Sequence, residues 1–121
     1  VATLLTRSED GVLLVYFQDV RIIDESRINS LGQELNDLIN NAENDKIIVN
    51  FQNVSFMSSA MIGKLVQFGK KCRAGKVKLR FCNINENVLE VFNLMKLNKV
   101  FEIDKDEAGS LKNIDKKSWF G

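Results

Sequence analysis

The chain has 121 residues with 17 basic and 16 acidic side chains, and its net charge of +1 gives no global electrostatic reason to expect nucleic acid or an anionic membrane as partner. A hydrophobic share of 45% and a charged share of 27% describe one ordinary globular domain, residues 1–121, with a single core. The absence of histidine excludes Ser-His-Asp and Cys-His catalysis, and with them any metal site that needs imidazole.

No GxGxxG, GxxxxGK(S/T) or GxSxG motif is present. Carboxylate or lysine catalysis has no motif to support it. An enzyme is therefore the lesser expectation, with no catalytic residue, metal ligand or cofactor assigned. The longest apolar runs fall far short of the ~20 residues that span a bilayer, and no secretory signal pattern opens the chain. It begins at Val1 and not at Met, which leaves a trimmed N-terminus open. Cys72 and Cys82 are too few for a disulfide framework and too far apart for a CxxC motif. They read as small core residues, which implies a reducing compartment and a cytoplasmic location.

Residues 3–7 and 11–17 read as two strands joined by a turn at Ser8-Glu9-Asp10-Gly11, since Asp-Gly between apolar runs is a hairpin signal. Val12 to Phe17 is continuously apolar, as in a strand covered on both faces. A helix is expected from about Ser26 to Ala42, with Ile28, Leu31, Leu35, Leu38, Ile39 and Ala42 forming one stripe. Asn40-Asn41 and Asn44-Asp45 break it. Lys46–Phe51 is a short strand, and Gln52–Met57 a loop leading to Ser58. Helical spacing resumes in Ile62, Leu65, Val66, Gly69 and Cys72 and runs to about Arg73. Gly75 then offers the left-handed conformation that often closes a helix. Val77–Cys82 alternates like a strand, and Val88, Leu89, Phe92 and Met95 mark another helix. Val100–Ile103 is a last short strand, followed by a charged, weakly helical tail over 104–121. The order ββαβαβαβ(α) implies an α/β fold. Its mixed sheet of about five strands is mostly parallel, with an antiparallel N-terminal hairpin and helices packed on it.

The segment Ile47-Ile48-Val49-Asn50-Phe51-Gln52-Asn53-Val54-Ser55-Phe56-Met57-Ser58-Ser59-Ala60-Met61-Ile62-Gly63 resembles the signature of the STAS domain, a family that includes the anti-sigma factor antagonists of bacterial partner switching. The family pattern is a hydrophobic strand, a loop ending in an aromatic and a hydrophobic residue, then Asp-Ser-Ser-Gly-hydrophobic-Gly opening a helix. Phe56-Met57 match the hydrophobic pair, and Ser58 stands where the aspartate is expected. Ser59 stands at the serine that a partner kinase phosphorylates, Ala60 at the second serine, Met61 at the first glycine and Gly63 at the last. Ile23-Asp24 matches the hydrophobic-Asp pair before the first helix, and Gly75 with Val77-Lys78-Leu79 matches a later glycine and strand.

A serine after a strand and before an apolar-periodic run is a favoured N-cap, which is the bland reading of Ser58. Ser59 would project from the first turn, where a phosphate is tolerated by the helix yet meets any partner seated there. Its competing reading is simply a small first-turn residue. The resemblance implies Ser59 as phosphorylation site, with Ser58 as runner-up. It also implies a partner-binding set of Asp24, Met57, Ser58, Ser59, Ala60 and Met61. Met57 and Met61 read either as packing residues or as an adaptable apolar contact, with Met61 exposed because glycine usually fills its place. Asp24 reads first as a helix-start residue and second as an interface residue. The basic run from Lys64 to Arg80 reads as a solvated face, and Trp119-Phe120 as a docking tail or a frayed end.

The implied function is that of an anti-sigma factor antagonist. It would bind an anti-sigma factor or serine kinase of the ATP-binding anti-sigma type, with no direct nucleic-acid contact. The altered Ser58-Ser59-Ala60-Met61 motif keeps an alternative, a non-switching STAS scaffold or an accessory subunit of a larger complex or transporter. A small α/β enzyme using Asp24 with Lys64 or a cysteine is the minor third. The oligomeric expectation is a monomer or weak dimer.

Overall fold

The computed structural model describes residues 4–40 and 45–115. The chain opens with the expected hairpin, β1 (Leu4–Glu9) and β2 (Val12–Phe17), antiparallel with Glu9 opposite Val12. Its two-residue turn holds Asp10 at φ 50° and Gly11 at φ 81°. Both central positions need positive φ in a tight hairpin turn, and Asp and Gly tolerate it. There follow β3 (Arg21–Ile22), α1 (Glu25–Asn40), β4 (Lys46–Asn50), β5 (Phe56–Met57) and α2 (Ser59–Ala74). The chain continues through β6 (Lys78–Cys82), α3 (Glu86–Leu94), a 3-10 turn (Leu97–Lys99), β7 (Ile103–Asp104) and α4 (Glu107–Asn113).

The main sheet has the order β1-β2-β4-β6-β7, with every pair after the hairpin parallel. It is the mixed α/β sheet that the sequence implies. Alternation along its strands splits the side chains between two faces. Val15, Phe17, Ile47, Val49, Phe51, Leu79 and Phe81 join the core under the helices, whereas Val12, Leu14, Ile48 and Cys82 pack with Ile114 on the other side. Phe51 stacks between Phe17 and Phe81 with centroids 5.2 and 5.0 Å away, and Phe101 lies 4.6 Å from Phe81. Ring pairs at these separations add attraction beyond the area they bury.

The second face is sealed by α4 through polar contacts. Arg80 donates to both oxygens of Asp104 at 2.6 and 3.1 Å, and Ser110 and Asn113 of α4 donate to the same carboxylate at 2.6 and 2.9 Å. Glu107 accepts from Tyr16, from Asn50 and from Arg7, which ties the start of α4 to β1, β2 and β4. Cys72 and Cys82 are both buried, and burial pushes each thiol up to about 12, which leaves them unreactive at neutral pH.

Four local expectations change. β3 and β5 form a small parallel sheet of their own, so the segment read as a loop before Ser58 contains a strand. The last strand is Ile103–Asp104, because Leu97 starts a 3-10 turn and Phe101 folds down onto Gly69. The left-handed residue after α2 is Lys76 at φ 57°, not Gly75 at φ −88°. Val77 N–H to Cys72 C=O and Lys76 N–H to Arg73 C=O complete a Schellman closure around it. The first helix starts at Glu25, one residue earlier than its apolar stripe suggests, because Asp24 caps it. Ala42, Asn41, Asn44 and Trp119-Phe120 lie outside the described residues. Among the described residues no helix is long and apolar enough to cross a membrane.

Candidate functional site

The start of α2 is held by the segment that precedes it. After β4, Asn50 Oδ1 accepts from Gln52 N–H at 2.8 Å and Phe51 C=O accepts from Val54 N–H at 2.9 Å, which turns the chain sharply. Asn53 Nδ2 donates to Phe17 C=O at 3.0 Å, and the Val20 carbonyl accepts from the Ser55 and Phe56 amides at 2.8 and 3.3 Å. Asn85, the N-cap of α3, donates from Nδ2 to the carbonyls of Val54 and Ser55 at 3.2 and 2.9 Å while its Oδ1 caps Val88 N–H. The ladder of β3 and β5 ends with Ser58 N–H donating to Ile22 C=O at 3.0 Å. Every backbone turn from β4 to α2 thus has a partner outside the turn or a local bond within it. The serine pair is presented on a fixed platform.

Ser58 has the extended backbone of an N-cap, φ −75° and ψ 163°, and its Oγ accepts from Met61 N–H at a stretched 3.4 Å. Ser59 is the first residue of α2 and is exposed, as is Ala60 beside it. The first turn of α2 carries no acidic side chain, so the positive end of the helix dipole faces solvent without an internal counter-charge. A groove of about 460 Å³ runs between Ile23, Glu25, Ile28 and Asn29 on one side and Ser58, Ser59, Ala60 and Lys64 on the other. α1 and α2 approach closely at Lys64, one of the groove's lining residues, whose stem lies so close over Gly32 that a Cβ there would meet Lys64 Cδ at 2.9 Å. Val20 and Ile23, on either side of β3, and Phe56 of β5 are exposed, and the Arg21 guanidinium sits 5.4 Å from the Phe56 ring centre.

The sequence model of the STAS domain matches residues 4–109. The chain belongs to the STAS domain family. Among solved structures, this STAS domain is similar to an anti-sigma factor antagonist from Mycobacterium paratuberculosis. That match has 18% identity and a TM-score of 0.82, and covers 93% of this chain and 92% of the other. An anti-sigma-factor antagonist (STAS) domain protein from Planctomyces limnophilus matches with 17% identity and a TM-score of 0.82, over 94% of this chain and 98% of its own. The Bacillus cell fate determinant SpoIIAA in its phosphorylated form matches with 14% identity and a TM-score of 0.68, over 92% and 98%. At these identities the likeness is one of fold.

Against that fold, the six residues expected to bind a partner separate into three groups. Ser58, Ser59 and Ala60 lie together along the groove. Met57 and Met61 do not face it. Met57 is 2% exposed and Met61 is fully buried, so the expected exposure of Met61 is corrected. Met61 belongs to the buried stripe Met61, Leu65, Phe68 and Cys72 that α2 turns to the core. Asp24 is exposed at the start of α1, where it accepts from Ser26 Oγ at 2.7 Å and Arg27 N–H at 3.1 Å. Those bonds, the Ser26 hydroxyl first, hold its carboxyl below the usual range. This is the helix-start role.

The exposed large apolar side chains around β3 and β5 are instead Val20, Ile23, which lines the groove, and Phe56, none of which sequence reasoning singled out as a contact. Their signal was available. Ile22-Ile23 and Phe56-Met57 are adjacent apolar pairs in extended chain, and neighbours on a strand point to opposite faces. One member of each pair is buried and the other has to face out. Lys64, which lines the groove, and Gly32 under its stem carried no motif, and only the packing of the two helices brings them together.

Proposed function

We propose that this STAS domain is an anti-sigma factor antagonist that acts by binding and not by catalysis, and that phosphorylation of Ser59 ends the binding. The observation that carries the proposal is the contrast within the serine pair. Ser58 is half-buried with its oxygen engaged as the cap, whereas Ser59 stands exposed one residue later on the wall of the groove. A kinase can reach Ser59 without disturbing the helix start, but modifying Ser58 would remove the cap.

A phosphate adds about −1.5 to −2 charges and three strong acceptors. On Ser59 it would sit beside the positive end of α2, whose amide groups and dipole favour an anion. The domain would keep its fold. A partner seated over Val20, Ile23, Phe56 and the groove would have to bury that charge, a penalty of several kcal/mol when unpaired. Stability and binding are thereby uncoupled, which is what a switch requires. The partner fitting this role is a cytoplasmic anti-sigma factor of the ATP-binding serine kinase type. The phosphorylated form of the structurally similar SpoIIAA supports this reading.

The test is co-purification from the native cell, incubation of any kinase partner with ATP, and mapping of the phosphate by mass spectrometry. Phosphate on Ser59, lost in Ser59→Ala, is expected. Phosphate confined to Ser58, or none under varied growth conditions at high coverage of this peptide, would contradict the switch and favour a non-switching scaffold or accessory subunit.

A further inference from the structure

The net charge of +1 hides a strong local imbalance. From Lys64 to Arg80 there are seven basic residues and no acidic one, of which Arg80 is buried and paired with Asp104 and Glu102 and Lys64 lines the other groove; from Val91 to Phe101 there are two lysines, between Glu90 and Glu102. The fold joins the two segments. Phe101 rests on α2 at Gly69, so closely that a Cβ there would meet its ring at 2.6 Å. Beside this contact lies an apolar cleft of about 110 Å³, lined by Val66, Gly69, Lys70, Arg73, Val100 and Phe101. Three large apolar side chains stand out around the 3-10 turn, Leu94 at 76%, Met95 at 44% and Val100 at 41% exposure. Lys96 and Lys99 are interleaved with them, and both are exposed.

Exposed leucine, methionine and valine gathered in one stretch mark a contact surface more than a random scatter does. Lys70 and Arg73 line the cleft and Lys96 and Lys99 are exposed in the adjoining turn, so the local charge favours an acidic occupant. We propose that this end of the domain is a second docking surface, for an acidic protein segment that places an aliphatic side chain in the cleft between α2 and Val100. A second copy of this chain does not fit, because a two-fold contact would set lysines against lysines. Nucleic acid does not fit, because among the described residues the one aromatic side chain at the cleft, Phe101, is buried and the surface beside it is apolar. A flat anionic membrane would meet Leu94 and Met95 but leave the recessed cleft unfilled.

Ser59 and Lys70 are eleven residues apart on α2, about 16 Å along the axis at 1.5 Å per residue. The second surface therefore goes beyond the Ser59 switch and does not depend on it. A partner held there would stay attached while the serine surface is switched.

The test is selection of a random peptide library displayed on phage against the full chain, followed by titration of a selected synthetic peptide. Enrichment of Asp and Glu around an aliphatic residue is expected. Binding should weaken roughly tenfold or more in the exposed charge reversal Lys96→Glu/Lys99→Glu and in Leu94→Ser, fall with added salt, and stay unchanged in Ser59→Asp. Because these side chains are exposed, unchanged thermal unfolding of the variants would show that the fold is kept. Peptides without acidic enrichment, no enrichment at all, or affinities indifferent to the variants would overturn the proposal. So would tight binding to phosphatidylserine vesicles that is lost in the charge reversal, which would assign the surface to lipid.

Discussion

At the start of α2 two chemically identical side chains take different places because of one step in backbone geometry, Ser58 engaged at the cap and Ser59 exposed. Ser58 caps, and Ser58→Ala should lower stability by about 1 kcal/mol or less, given the stretched 3.4 Å bond. Urea unfolding checks it, with a lower midpoint and an unchanged slope expected. Gly63 gives a sharper residue-level test. It lies within α2 with open space where a Cβ would be. Gly63→Ala should therefore stabilise the free domain by about 0.5–1 kcal/mol, because alanine is the better helix former. A loss of stability would show that the space is filled in solution. Met61 shows how far the sequence could be read at this scale. Its correspondence with a family glycine pointed outward, while its spacing of four from Leu65 pointed inward. The packing stripe decided the outcome, since burying a methionine is worth far more than matching a motif position.

Elements long enough to show a period were legible: the hairpin, β4, β6, α1, α2 and α3 all follow from apolar spacing. The two-residue strands β3 and β5 were not, because a period cannot be read from two residues, and their pairing depends on two loops meeting. The docking of α4 was equally hidden. It hangs on Asp104, whose side chain is 9% exposed against an Arg80 side chain 10% exposed, and charged residues carry no hydrophobic period. Burial alone would push the Asp104 carboxyl up, but Arg80, Ser110 and Asn113 outweigh it and hold it below its ordinary 3.8. A lowered native value means this contribution is full above the unfolded pKa near 3.8 and is lost as pH falls through the native value. Unfolding free energy should therefore drop steeply below about pH 4. Asp104→Asn should flatten that drop and destabilise by about 3 kcal/mol at neutral pH, because it leaves the buried Arg80 with only its longer 3.6 Å pairing to Glu102. Hydrogen exchange should show α4 losing protection first. Equal acid sensitivity in the variant would place the effect elsewhere.

For the molecule as a whole, the element order set by hydrophobic pattern led to the α/β sheet, and the STAS domain match over residues 4–109 agrees with it. The groove and the basic cleft were out of reach, because each depends on residues distant in sequence meeting across helices. The domain that results keeps Ser59, the proposed switch serine, outside the buried core. The most direct measurement compares unmodified protein, Ser59→Ala and Ser59→Asp for binding to the co-purified partner, alongside thermal unfolding of each. The account predicts that Ser59→Asp loses about 100-fold or more in affinity while its Tm stays within roughly 2 °C of the unmodified protein. Equal binding by Ser59→Asp and the unmodified protein, or unfolding in step with lost binding, would contradict it.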